Sequence, residues 1–182
     1  MRFFALIATL VLGFGCSSKA QETSTFAQPE EKPVSTVLIA EHASVQPGSA
    51  TRIGVLFEIE EGWHIYAEDP GDAGLPTKVE WATPQGVLAG DLMWPAHHEF
   101  LDPGDIRTFG YEKSVLLASG LEIREGYAQP EIPIQAKVSW LACKDVCIPG
   151  KADLDLVLPL SADPPAPSEY APLFASTYYD AP

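Results

Sequence analysis

Apolar side chains recur at every second position through the middle of this chain. That spacing restricts the fold more than any other feature. Ile53, Val55, Phe57 and Ile59 alternate with Arg52, Gly54, Leu56 and Glu58. Ile132, Ile134, Ala136, Val138 and Trp140 alternate with Pro133, Gln135, Lys137 and Ser139. Leu154, Leu156, Leu158 and Leu160 alternate with Asp153, Asp155, Val157 and Pro159. A period of two turns one set of side chains toward a core and the other toward water, as in a half-buried strand. Shorter runs of this kind are Val37–Ala40, Trp63–Tyr66, Lys78–Trp81 and Val115–Leu117. Between them stand turn signals: Pro47-Gly48, Glu61-Gly62, Pro84-Gln85-Gly86, Glu125-Gly126 and Pro149-Gly150. With 17 prolines and 14 glycines, long helices are disfavoured. Seven or so short strands predict an all-β fold, an antiparallel β-sandwich, over residues 34–160.

The flanks have other compositions. Pro95 to Tyr111 mixes His, Asp, Pro and Gly with isolated aromatics and reads as a long loop, a kind that is usually functional. Residues 161–182 form a proline-rich C-terminal tail. Within it Tyr170, Leu173, Phe174 and Tyr178 recur near helical spacing and predict a short docked turn or helix. At the other end, Met1-Arg2 precedes an apolar run, Phe3 to Phe14, too short to span a bilayer and of the size of a signal-peptide core. Residues 1–15 are therefore read as a signal peptide, and 16–33 as Cys16 followed by a polar tether. Leu12-Gly13-Phe14-Gly15-Cys16 resembles a bacterial lipobox, which makes Cys16 the expected lipidation site. The rival cut follows Ser18-Lys19-Ala20. Ser17 after the cysteine favours the outer membrane, by the same resemblance. The expected location is thus the periplasm, with a lipid anchor in a membrane.

Charge and motifs exclude several functions. With 25 Asp and Glu against 11 Lys and Arg the net charge is −14, which leaves no general phosphate-binding surface and no nucleic-acid partner. No grouping of serine and carboxylates suggests a hydrolase, and no glycine-rich strand-to-helix turn suggests a nucleotide site. An exported chain meets oxidising surroundings, in which a disulfide persists.

The chemistry lies in Trp140-Leu141-Ala142-Cys143-Lys144-Asp145-Val146-Cys147-Ile148-Pro149. Along a straight strand the two cysteine Cα atoms would lie about 13 Å apart, whereas a disulfide needs less than ~7 Å. Pairing therefore requires a bend through Lys144-Asp145-Val146. Three readings of the pair remain open. As a staple, in a non-catalytic exported binding or assembly module, it closes a ring of five residues, on the order of 2 kcal/mol by chain entropy, a small gain. As a metal site it would draw on His42, His64, His97, His98 and Met93, whose spacing is not diagnostic. As a redox pair it would open and close by exchange with a partner thiol.

A resemblance bears on the choice. Trp140 to Pro149 resembles the active-site hairpin of the N-terminal domain of the thiol:disulfide interchange protein DsbD. Gly62-Trp63-His64-Ile65-Tyr66 resembles that family's Gly-aromatic strand, and Trp94 to Tyr111 its cap-loop region. Phe109-Gly110-Tyr111-Glu112 then leads into Val115-Leu116-Leu117 in the family's order. The similarity covers roughly residues 34–160. It implies an immunoglobulin-like sandwich that acts as a thiol-disulfide oxidoreductase without a cofactor or metal, carrying electrons to thioredoxin-fold proteins of the periplasm. The family's membrane domain and thioredoxin-like domain have no counterpart in these residues, so a separate membrane electron donor is expected.

The resemblance also assigns roles. Cys143 and Cys147 match the redox pair, with Cys147 the sulfur attacked. Phe100 falls where a cap aromatic shields the pair, and Glu99 beside it, where acidic groups sit. His98 replaces a second acid and Leu101 an aromatic. Tyr66 is placed within reach of the site, although a strand tyrosine is more often part of the core. Trp63, Trp81, Trp94 and Trp140 are read as core or rim aromatics.

Overall fold

The computed structural model describes residues 32–102 and 104–179. The signal peptide, Cys16 and nearly all of the tether lie outside the described residues.

Among the described residues twelve strands and one helix follow in order: β1 (Val34–Ala40), β2 (His42–Ser44), β3 (Ala50–Ile59), β4 (His64–Gly71), β5 (Lys78–Ala82), β6 (Val87–Met93), β7 (His98–Asp102), β8 (Ile106–Glu112), β9 (Ser114–Ile123), β10 (Glu131–Cys143), β11 (Cys147–Pro159), β12 (Ala166–Pro167) and α1 (Ala171–Tyr179). A four-stranded sheet runs β1-β3-β9-β6. A six-stranded sheet runs β11-β10-β4-β8-β7, with β5 also paired to β10, and β12 pairs with β2. All the strand pairings are antiparallel. The two large sheets pack face to face as the immunoglobulin-like sandwich that the alternation and the resemblance predict.

The core follows from the alternation. Ile53, Val55 and Phe57 of one sheet and Ile132, Ile134, Ala136 and Val138 of the other are buried in one cluster. Phe57 meets Trp140 edge to face across the sandwich, ring centroids 5.7 Å apart. Strand β9 breaks the alternation because both of its faces are covered. Val115, Leu117 and Leu121 join the main core, while Leu116 and Ala118 pack with Ile39 under Phe174 of α1. Helix α1 is held there by Arg52, which donates to the Phe174 carbonyl at 3.2 Å, lies over the Phe174 ring and pairs with Glu41.

Two local expectations are corrected. Pro95 to Tyr111 is not one loop, since most of it forms the β7–β8 hairpin. Pro149-Gly150 is not a turn but lies within β11, where Gly150 opposes Trp140. A Cβ at Gly150 would fall 2.2 Å from the Trp140 indole, so the glycine makes room for that ring. Proline is tolerated at 149 because β11 is an edge strand.

Candidate functional site

The site begins with register. Strands β10 and β11 pair residue for residue from Glu131↔Pro159 to Cys143↔Cys147. The bend through residues 144–146 closes this hairpin, and Lys144 N–H donates to the Val146 carbonyl at 3.1 Å. The cysteines are opposed at the last rung, with Cα atoms 4.1 Å apart, and form a disulfide. Lys144 Nζ reaches the Glu61 carbonyl at 3.5 Å and seats the tip on the β3–β4 turn.

Alternation then fixes the face. Val138 and Ala142 point into the core, so Cys143 points to the opposite, outer face of the sheet. Opposed residues of antiparallel strands share a face. Cys147, its neighbour Cys143, His64 opposite Cys143, and Tyr66 two residues along β4 are therefore on the outer face together. His64 opposes Glu112, and Glu112, Gly110 and Thr108 alternate along β8 on that side. His98 opposes Gly110 and Phe100 opposes Thr108, which brings both to the same face.

The outer face is nevertheless covered. Cys143 is 3% exposed, His64 9% and Tyr66 4%, while Cys147 is exposed. The cover is the β7–β8 hairpin. On a flat sheet Phe100 would lie two strands and four residues from His64, about 16 Å away. Instead the two rings stack, with centroids 4.6 Å apart and planes 20° from parallel. The hairpin therefore folds back over the sheet. It can do so because β8 leaves register with β4 after Gly110, and because a Cβ at Gly110 would collide with the Ile65 carbonyl at 2.1 Å. Tyr66 meets the imidazole edge to face at 5.2 Å. It is buried with Gly74 against its ring and takes no part in the sandwich core cluster.

The site residues read from the sequence divide as follows. Cys143, Cys147, Phe100 and Tyr66 gather on one face around His64. Glu99 alternates to the opposite face from Phe100, is exposed, and pairs with Arg107 at 3.4 Å. His98 is exposed, its ring 6.4 Å from Phe100, and Leu101 is exposed. The histidines do not converge. His42 bonds the Thr51 hydroxyl at 2.8 Å and His97 packs on Phe109. Among the described residues no three His, Cys, Asp or Glu side chains are placed to hold a metal ion. In the sequence His64 is one of four histidines read as possible metal ligands and a member of the Gly62–Tyr66 strand motif, with no role assigned beside the cysteines. Its place beside Cys143 is a matter of register between β4 and β10, which no local signal encodes.

The fold has counterparts among known proteins. The family model of the N-terminal domain of the thiol:disulfide interchange protein DsbD matches residues 34–159. The N-terminal periplasmic domain of ScsB from Proteus mirabilis superposes with a TM-score of 0.62 at 20% identity, over 85% of this chain and 57% of that one. The chain thus spans little more than half of the ScsB domain. The reduced N-terminal domain of Neisseria meningitidis DsbD aligns at 18% identity and a TM-score of 0.46, over 73% of this chain and 91% of that one. No curated protein sequence matches the chain. The hairpin disulfide, the sandwich that carries it and the family match over nearly all of that sandwich lead to one statement: the chain belongs to the DsbD N-terminal domain family.

Proposed function

We propose that this chain is an exported thiol-disulfide oxidoreductase that carries reducing equivalents between periplasmic thioredoxin-fold proteins through Cys143 and Cys147. The observation that carries the reading is the asymmetry of the pair: Cys147 is exposed at the hairpin tip while Cys143 is buried beside it. An incoming thiolate reaches only one sulfur. It attacks Cys147 Sγ, the Cys143–Cys147 bond breaks with its electron pair on Cys143, and a mixed disulfide joins the partner to Cys147. A second thiolate of the partner then attacks the partner's own sulfur in the mixed disulfide, which leaves the partner oxidised and Cys143 and Cys147 reduced. In delivery the Cys147 thiolate attacks an oxidised partner's disulfide and Cys143 resolves the mixed disulfide, releasing that partner as a dithiol. No cofactor is needed, since the electrons move between sulfurs. Phe100, stacked on His64, covers the Cys143 side of the pair between encounters.

A staple would be redundant here, because the hairpin is already held by thirteen opposed residue pairs. The electron donor in this proposal is a separate membrane protein, and lipid on Cys16 tethers the domain to a membrane, in the outer membrane by the Ser17 resemblance. More than one acyl chain gives stable anchoring, so Cys16→Ala releases the protein to the soluble fraction. Wild-type protein already soluble and beginning at Gln21 contradicts the tether. The exchange reading is tested by trapping. Cys143→Ala leaves Cys147 unable to resolve, so a mixed disulfide with a thioredoxin-fold protein accumulates in periplasmic extracts. Failure to trap any partner, with the wild-type disulfide inert to thioredoxin, contradicts it.

A further inference from the structure

Four side chains form one row across the six-stranded sheet. Cys147 on β11, Cys143 on β10, His64 on β4 and Glu112 on β8 are successive register partners. Opposed side chains in such a row stand with Cβ atoms about 4.5–5.5 Å apart. The row sets thiol, thiol, imidazole and carboxylate side by side. A nucleophile, the base that serves it and the group that supports the base follow the same order where a cysteine is activated.

We infer that His64 exchanges a proton with Cys143 during the thiol–disulfide exchange proposed above, on which this inference rests, and that Glu112 favours the protonated imidazole. The need arises from burial. When a partner attacks Cys147, the electron pair of the broken bond stays on Cys143, which is 3% exposed. A bare thiolate there lacks the solvation that water would give, and a buried charge is costly unless paired. His64 imidazolium supplies the proton, leaving a thiol and a neutral imidazole that regains its proton from solvent. In the reverse step neutral His64 takes the proton from Cys143 as its sulfur attacks the mixed disulfide. The imidazole is well confined for this, stacked on Phe100 and edge-on to Tyr66. The titratable groups facing it are Cys143 from β10, Glu112 from β8, Tyr66 from its own strand and His98 from β7. Lys113 lies 3.7 Å from Glu112.

The test follows the Cys143 thiolate directly, by its ultraviolet absorbance against pH, in reduced Cys16→Ser, Cys147→Ala chain. His64→Gln and His64→Phe are each added, with circular dichroism reporting the fold. The expected result is a thiolate titration in two steps in the parent, one in the imidazole range near pH ~6–7, and a single step in both variants. With both cysteines present, exchange with thioredoxin below neutrality slows about tenfold or more in both variants, at the low end or below the usual range for general acid–base catalysis. His64→Phe retains the stack on Phe100. If it titrates and exchanges like the parent, His64 serves packing alone and the inference is overturned. Superimposable titrations of parent and His64→Gln overturn it equally. A wild-type disulfide that exchanges with neither thioredoxin nor glutathione removes the exchange reading itself. Exchange with unchanged thiolate titrations removes only the role of His64.

Discussion

At the scale of single residues, the site depends on what lies over the sulfurs and what lies beneath them. Phe100 is half-buried and rests on His64 rather than in the sandwich core. Its removal opens the outer face without emptying a core site. Phe100→Ala should speed the reaction of reduced Cys143 and Cys147 with a small nonspecific oxidant several-fold, while the melting temperature changes little. An unchanged rate together with a loss of ~3 kcal/mol or more, the size expected for a core cavity, would make Phe100 a packing residue. Below the hairpin the decisive contact is Trp140 on Gly150. Gly150→Ala puts a methyl group within 2.2 Å of the indole, so the ring must leave its place against Phe57. A destabilisation of about 1–3 kcal/mol is expected in denaturant titration, as for other overpacked sites. A neutral result would mean that the hairpin shifts freely. The same pair explains one misreading. Pro-Gly is a turn signal only when the glycine serves backbone conformation, and here it serves the volume of the Trp140 side chain on the opposed strand.

Among the elements, legibility tracked the core. β10 and β11 were plain in the sequence because each has one face in the sandwich and most of the other toward water, and β3 because its core residues alternate even though Arg52 and Leu56 on its other face lie against α1. β7 and the first half of β8 were hidden because they fold back over the outer face of the sheet, and only Phe109 and Tyr111, late in β8, face the sandwich core. Phe100 and His98 lean toward the outer face, while Leu101 and Ile106 remain exposed, so no alternation of apolar and polar residues marks them. The cysteine pair was legible as a pair, and its hairpin as a necessity of reach. Its companion His64 was not, because register across β4 and β10 is a property of the assembled sheet. Helix α1 was foreshadowed by the spacing of Tyr170, Leu173 and Phe174, but its latch was not. The Arg52 guanidinium beside Glu41 holds that carboxyl below its ordinary value. A depressed folded-state value means that the pair stabilises the protein above the unfolded carboxylate value and ceases to do so as pH falls through the folded one. Glu41→Gln should thus lower the melting temperature at neutral pH, and the difference from wild type should shrink as pH falls below the ordinary Glu value of about 4.3 and vanish in stronger acid, once pH has passed the depressed folded-state value. A gap that persists in strong acid would place the contribution of Glu41 elsewhere.

For the whole molecule, the disulfide sits outside the structure that holds the fold together. The core clusters contain neither cysteine, and the ring it closes has five residues. The ring adds only on the order of 2 kcal/mol, against ~5–15 kcal/mol typical of a domain. Reduction should therefore leave the far-ultraviolet β signal in place, and its collapse on reduction would favour the staple. Among the described residues no helix is long and apolar enough to cross a membrane. The strand that carries Cys147 has a further consequence, for crowding. β11 is thirteen residues long and lies at the edge of its sheet, where an unpaired ladder invites a second chain to continue it. Its exposed positions hold Pro149, Lys151, Asp153, Asp155, Val157 and Pro159. The prolines lack a donor, and the charges resist being brought against copies of themselves. The edge that ends at Cys147 is thereby guarded against pairing with a second copy, which leaves the tip open for the exchange proposed above.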